Sequence, residues 1–131
     1  MTAAAAFSMS PAVAAAGEAA MPGNEPFAYY GTDRGSSAGW ENSVTRTSVR
    51  ELLTVDNMIG ADFLSPTPGL IVHGVKDAYC SPDGAREAYE RMGEPKRLVW
   101  LDATLHIDLY DTEPYVTQAV EAVTAFLTEH L

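Results

Sequence analysis

The sequence feature that most constrains the fold of this chain is a short apolar run followed by an aspartate. Leu70–Val72 is rich in β-branched residues, with Pro68-Gly69 before it and Gly74 just after it. This pattern predicts a buried strand over residues 70–74. Asp77 stands three residues beyond Gly74. Open α/β sheets place their chemistry just past the carboxyl ends of strands, so Asp77 holds a position typical of an active site.

A second strand and a histidine follow the same plan. Residues 97–101 form another apolar run, and His106 comes 29 residues after Asp77. Between the two runs, Ser81-Pro82 predicts a helix start, because Ser caps and Pro suits the first helical position. The order from residue 66 is therefore β-α-β-α, which predicts an α/β fold with parallel strands and right-handed crossovers.

The two polar residues suit proton transfer. A neutral imidazole takes a proton from a nucleophile, and a carboxylate on its other nitrogen fixes the tautomer. Asp77 and His106 have the chain order and the strand-end placement for those roles. The plainer alternatives are a surface-turn aspartate and a polar loop histidine. The sequence alone leaves both readings open.

Ser37 is the formal candidate for a nucleophile. Gly35–Gly39 matches G-x-S-x-G, and Ser37, Asp77 and His106 follow in the order of a hydrolase triad. However, that motif needs a buried strand before it and a helix straight after it. Polar residues precede Gly35, and the next apolar periodicity begins at Val49. This context argues against Ser37.

Composition excludes several classes of function. The 131 residues suit one core, and the net charge of −10 with few basic residues argues against nucleic acid or an anionic membrane as partner. Cys80 is the single cysteine, which rules out an intrachain disulfide. His106 and Asp108 lack a third metal ligand in register, so we expect no metal and no other cofactor. The Ala-rich start has no positively charged region, so we expect a cytoplasmic protein rather than a secreted one.

Three segments are expected along the chain: 1–23, 24–65 and 66–131. In the first, residues 2–9 are either a strand made of small residues or a helix start, and Pro11–Ala20 is predicted to be a helix. Residues 2–9 contain no charged residue that would block pairing at a sheet edge. A strand there would offer a free sheet edge for self-association.

The middle segment, 24–65, begins with aromatic residues spread among glycines and serines. This suggests either an ordered loop or lid, or aromatic side chains that pin a loop to the core. Residues 47–59 then predict a helix capped by Thr47 or Ser48. The last helix is expected to start at Thr112-Glu113-Pro114.

These motifs resemble the C-terminal portion of the α/β-hydrolase superfamily. His73–Asp77 looks like its acid strand, Trp100–His106 like its histidine strand, and Ile107–Asp111 like the approach to its final helix. Phe27–Gly35 resembles part of an inserted cap in bacterial hydrolases similar to dienelactone hydrolases and polyketide-transferase-like proteins. Residues 2–9 would be the strand after the nucleophile helix.

The resemblance implies about three parallel strands with flanking helices and a partial cap. It also implies a C-terminal fragment or split half of a serine hydrolase, in which Asp77 orients His106 and the nucleophile elbow is missing. The expected partners are a small acyl substrate and either the missing N-terminal half or a second copy joined at the sheet edge. The alternatives are a non-catalytic α/β module that binds or self-associates, and a compact hydrolase that uses Ser37.

Overall fold

The contacts divide the chain into two units, Met1–Val55 and Asp56–Leu131. The structure is a computed structural model that describes residues 3–131. The three segments expected from the sequence stay a prediction. None of the described helices is both long enough and apolar enough to cross a bilayer.

The first unit consists of short elements. They are β1 (Ala3–Ala4), α1 (Pro11–Ala16), α2 (Asn24–Tyr30), β2 (Val44–Thr45) and α3 (Arg46–Leu52). Helix α1 is shorter than the helix predicted over Pro11–Ala20, because Gly17 takes a φ of +68° and ends it. A left-handed glycine is a common helix terminator, since it has no Cβ to clash in that conformation.

Residues 2–9 differ from the predicted third parallel strand. Thr2 lies outside the described residues, and β1 pairs antiparallel with β2, Ala3 opposite Thr45. Beyond β1, the side chain of Asn42 bonds the N–H of Phe7 at 2.8 Å and its carbonyl at 2.7 Å. Alanines have low strand propensity, so these distant partners decide the pairing of the run.

The aromatic residues of the middle segment pack together. Tyr30 stacks on Phe7 with ring centroids 4.1 Å apart, and Trp40 lies 6.1 Å from Tyr30. Tyr29 meets Tyr30 edge-on at 5.0 Å. Such pairs stabilise a fold beyond the area that they bury. The structure therefore favours the interpretation that these side chains pin the segment in place.

The middle segment contains one helix that was not predicted and one whose predicted bounds were wrong. Residues 24–46 contain α2, whose Pro26 lies in the first turn, where a missing N–H costs little. Helix α3 covers Arg46–Leu52 instead of 47–59, and its cap is Thr45, whose hydroxyl accepts the N–H of Ser48 at 3.1 Å. The true cap therefore lies two residues before the nearer predicted one.

The second unit contains the parallel sheet. Its elements are α4 (Ile59–Asp62), β3 (Gly69–Gly74), α5 (Pro82–Arg91), β4 (Lys96–Leu101), α6 (Asp108–Asp111) and α7 (Tyr115–His130). Strands β3 and β4 are parallel and in register from Gly69 opposite Lys96 to Gly74 opposite Leu101. This confirms the α/β class. Among residues 3–131 the parallel sheet has two strands.

The crossover helix begins as predicted. Ser81 caps α5 by accepting the N–H of Gly84 at 3.3 Å, and Pro82 follows it. Both α5 and α7 pack on β3 and β4. The apolar residues buried in this unit are Ala85, Met92, Leu101, Ala103, Ile107 and Phe126. They lie on or next to the helices, at the end of β4 and in the loop after it, and Leu101, Ala103 and Ile107 place part of the core at the carboxyl edge of the sheet.

Candidate active site

Asp77 and His106 meet at the carboxyl edge of the parallel sheet. Asp77 lies three residues after β3 and His106 five residues after β4, in loops that the parallel register brings side by side. Asp77 Oδ2 and His106 Nδ1 are 2.6 Å apart. Gly74 allows this approach, because a Cβ there would lie 3.3 Å from the Cβ of the fully buried Ala103.

The carboxylate of Asp77 is held on both oxygens. Its side chain is 2% exposed, and Oδ1 accepts the N–H groups of Tyr79 at 2.8 Å and of Cys80 at 2.7 Å. Burial raises the pKa of Asp77, but the hydrogen bonds from His106, Cys80 and Tyr79 and the attraction of the imidazole outweigh it. The net result is a lowered pKa, so the group is ionised at neutral pH.

A carboxylate of this kind fixes the imidazole. An ionised Asp77 accepts the proton on Nδ1, which leaves the lone pair of the neutral ring on Nε2. Among residues 3–131, Nε2 has no hydrogen-bond partner, and the side chain of His106 is 27% exposed. The geometry therefore presents a proton acceptor toward the surface.

The loop that carries His106 is held by hydrogen bonds to Asp108, a role that was not predicted from the sequence. Asp108 Oδ2 accepts the N–H of Thr104 at 3.2 Å and of Leu105 at 3.0 Å. These bonds close the turn just before His106. The signal was available in the sequence, because an Asp three or four residues after a polar loop is suited to such a turn. Asp108 thus positions the loop.

A cavity of about 440 Å³ lies beside the turn that holds Asp77. Met58, Ile71, Ala85 and Ala88 give it an apolar wall, and Cys80 also lines it. Apolar clefts with a few polar groups at one side are the usual sites for small organic ligands. The cavity can accept an apolar group beside Tyr79 and Cys80, in the turn that follows Asp77.

The other candidates named from the sequence have different surroundings from one another. Ser37 lies in an exposed turn after α2 and before β2, so no strand leads into it and no helix follows it directly. His73 bonds the carbonyl of Gly74 at 2.8 Å and packs edge-on against Trp100. Cys80 is exposed and lies in the turn that also carries Asp77.

The comparisons with known proteins agree with this architecture. The α/β hydrolase GrgF from Penicillium sp. sh18 matches 69% of this chain at 26% identity and a TM-score of 0.61. A hypothetical protein from Pseudomonas aeruginosa matches 79% of it at 28% identity and a TM-score of 0.66. The chain has part of the α/β-hydrolase fold. No family model matches it.

The chain is also similar to a polyketide transferase from Gibberella fujikuroi. The two are 37% identical over 68 residues, which are 52% of this chain and 21% of that protein. The chain likewise spans 30% of the Penicillium structure and 32% of the Pseudomonas one. It is thus much shorter than each of these relatives, and the catalytic roles of Asp77 and His106 stay a prediction.

Acid should weaken this fold through Asp77. The folded-state pKa is lowered, so the stabilisation is complete above the ordinary value of about 3.9 and is lost as the pH falls through the lowered value. We expect Asp77→Asn to be less stable at neutral pH and to lose less stability on acidification than the original chain. Urea unfolding from about pH 6 down to about pH 2 measures this difference in stability.

Asp102→Asn, at an exposed carboxylate, is the control for this measurement. If the original chain and Asp77→Asn lost equal stability on acidification, the result would contradict the lowered pKa of Asp77.

Proposed function

We propose that Asp77 and His106 are the acid and the base of a serine hydrolase that cleaves an ester, a thioester or a related acyl bond. The observation that carries the proposal is the 2.6 Å contact between Asp77 Oδ2 and His106 Nδ1 at the carboxyl edge of a parallel sheet. The similarity to a polyketide transferase supports an acyl substrate. The apolar cavity lined by Tyr79 and Cys80, in the turn after Asp77, offers room for the acyl chain.

The proposed mechanism uses His106 twice. Nε2 takes the proton of a serine hydroxyl as its oxygen attacks the acyl carbon, and the resulting imidazolium is stabilised by ionised Asp77. The imidazolium then gives this proton to the leaving alcohol or thiol. Water repeats the sequence on the acyl-enzyme, which releases the acid and restores the serine.

The proposed nucleophile is a serine on a strand–turn–helix elbow outside this chain. Ser37 lacks that context, since α2 precedes it and a turn follows it. The matched part of this chain covers 30% and 32% of the two solved relatives, which leaves room for such an elbow elsewhere in their fold. By this proposal the chain alone carries two of three triad members.

The sheet offers a docking edge for that missing portion. In the described part of the chain, β3 pairs only with β4, so its other edge has no strand partner. Unpaired strand edges are templates for a further strand. We propose that the nucleophile-bearing half docks there. Self-association of this chain, predicted above through residues 2–9, stays an alternative that sedimentation over a concentration series distinguishes.

A fusion protein tests the proposal. In it, this chain replaces the matching portion of the Penicillium hydrolase, and by our proposal the rest of that protein contributes the nucleophile elbow. We expect the fusion to hydrolyse p-nitrophenyl acetate and to react with a fluorophosphonate at the contributed serine. The isolated chain should do neither, because attack and oxyanion stabilisation are each worth orders of magnitude in rate.

Two other outcomes would favour the alternative functions. Labelling of Ser37 in the isolated chain would favour the compact hydrolase and contradict the interpretation of the chain as a fragment. A fusion that folds, by its circular dichroism, but neither labels nor hydrolyses would favour the non-catalytic binding module. The fusion with Ser37→Ala is the control and should keep full activity.

A further inference from the structure

Three metal-ligating side chains lie together at the carboxyl edge of the sheet. A carboxylate oxygen of Asp77, the sulfur of Cys80 and a ring nitrogen of His106 are all within 4.8 Å of one another. Asp77 is buried, His106 is half-buried and Cys80 is exposed. The cluster is therefore buried at Asp77 and open to solvent at Cys80, so an ion in solution can reach it.

The backbone holds the three ligands in place before any ion binds. Asp77 and Cys80 share one turn, because Asp77 Oδ1 accepts the N–H of Cys80 at 2.7 Å. His106 comes from the neighbouring loop, whose turn is closed by Asp108. Preorganised ligands lower the cost of ordering a metal site.

We propose that Asp77, Cys80 and His106 bind a borderline-soft divalent ion such as Zn²⁺. Thiolate, imidazole and carboxylate are the ligands that zinc takes in proteins, and three of them leave a fourth position for water. Calcium and magnesium prefer sites made only of oxygen ligands. The thiol of Cys80 releases its proton to solvent as the sulfur binds the ion.

Such an ion would inhibit the hydrolase. If Nε2 binds the ion, the lone pair that accepts the serine proton is occupied. If Nδ1 binds it, the hydrogen bond to Asp77 Oδ2 is lost. In both cases His106 stops acting as a base. This inhibition rests on the proposed function, whereas the binding of the ion does not.

Cobalt titration of the purified, reduced chain tests the binding without any assay of activity. Co²⁺ substitutes for Zn²⁺, and coordination by a thiolate gives a sulfur-to-cobalt charge-transfer band in the near ultraviolet. We expect one Co²⁺ per chain, with a band that Zn²⁺ removes by competition. Cys80→Ser should abolish the band, and His106→Gln should weaken binding by more than about tenfold.

His130→Gln is the matched control, because His130 lies at the end of α7 and not in the cluster. It should bind Co²⁺ like the original chain, and circular dichroism verifies that each variant is folded. Three results would overturn the proposal: no band in the original chain, unchanged affinity in folded His106→Gln, or one ion shared by two chains.

Discussion

Asp77→Asn in the fusion protein should lower kcat by about 10⁴-fold with little change in KM. Asparagine has the shape of aspartate, and its Oδ1 can still accept the N–H groups of Tyr79 and Cys80. Its amide nitrogen then faces His106 and donates to Nδ1. The imidazole must therefore carry its proton on Nε2, which is the wrong tautomer for a base.

The matched control for this kinetic test is Asp83→Asn. Asp83→Asn removes the same charge from an exposed side chain that pairs with Arg86 at 2.7 Å. It should leave kcat within about twofold, as surface substitutions usually do. A folded Asp77→Asn fusion that kept its rate within about tenfold would show that Asp77 does not orient the base.

Phe126→Ala should lower the free energy of unfolding by about 3–4 kcal/mol. The Phe126 ring is 5% exposed and lies 4.4 Å from the ring of His130, with the guanidinium of Arg97 5.6 Å away. Truncation leaves a cavity between α7 and β4 and removes both contacts. Urea unfolding of the full chain at neutral pH measures the loss.

Phe63→Ala makes the same chemical change at a ring that is 79% exposed, in the same unit. It should cost less than about 0.5 kcal/mol. Equal losses for the two variants would mean that Phe126 is not part of the core that supports the sheet.

Local signals made the second unit predictable. The apolar run between Pro68-Gly69 and Gly74 marked β3 to within a residue, and the run over residues 97–101 marked β4 as closely. Ser81-Pro82 marked the start of α5. Parallel strands joined by a helix end on the same edge, so the approach of Asp77 to His106 followed from spacing alone. The short α6, a single turn after His106, gave no periodic signal and was missed.

The first unit was harder, because its short elements depend on distant partners. Helix α2 has seven residues, too few to show a period among glycines and aromatics. The antiparallel pairing of Ala3 with Thr45 joins residues 42 positions apart, and no local pattern specifies it.

By itself the sequence determined the α/β class, the two parallel strands and the meeting of Asp77 with His106, because each depends on local pattern and chain order. Only the tertiary structure decided the surroundings of that pair. The two N–H groups on Asp77, the support of the loop by Asp108 and the placement of Cys80 within 4.8 Å of both residues depend on how two loops fold at the sheet edge. Loop geometry of that kind results from packing and hydrogen bonding between distant residues, which no run of amino acids encodes alone.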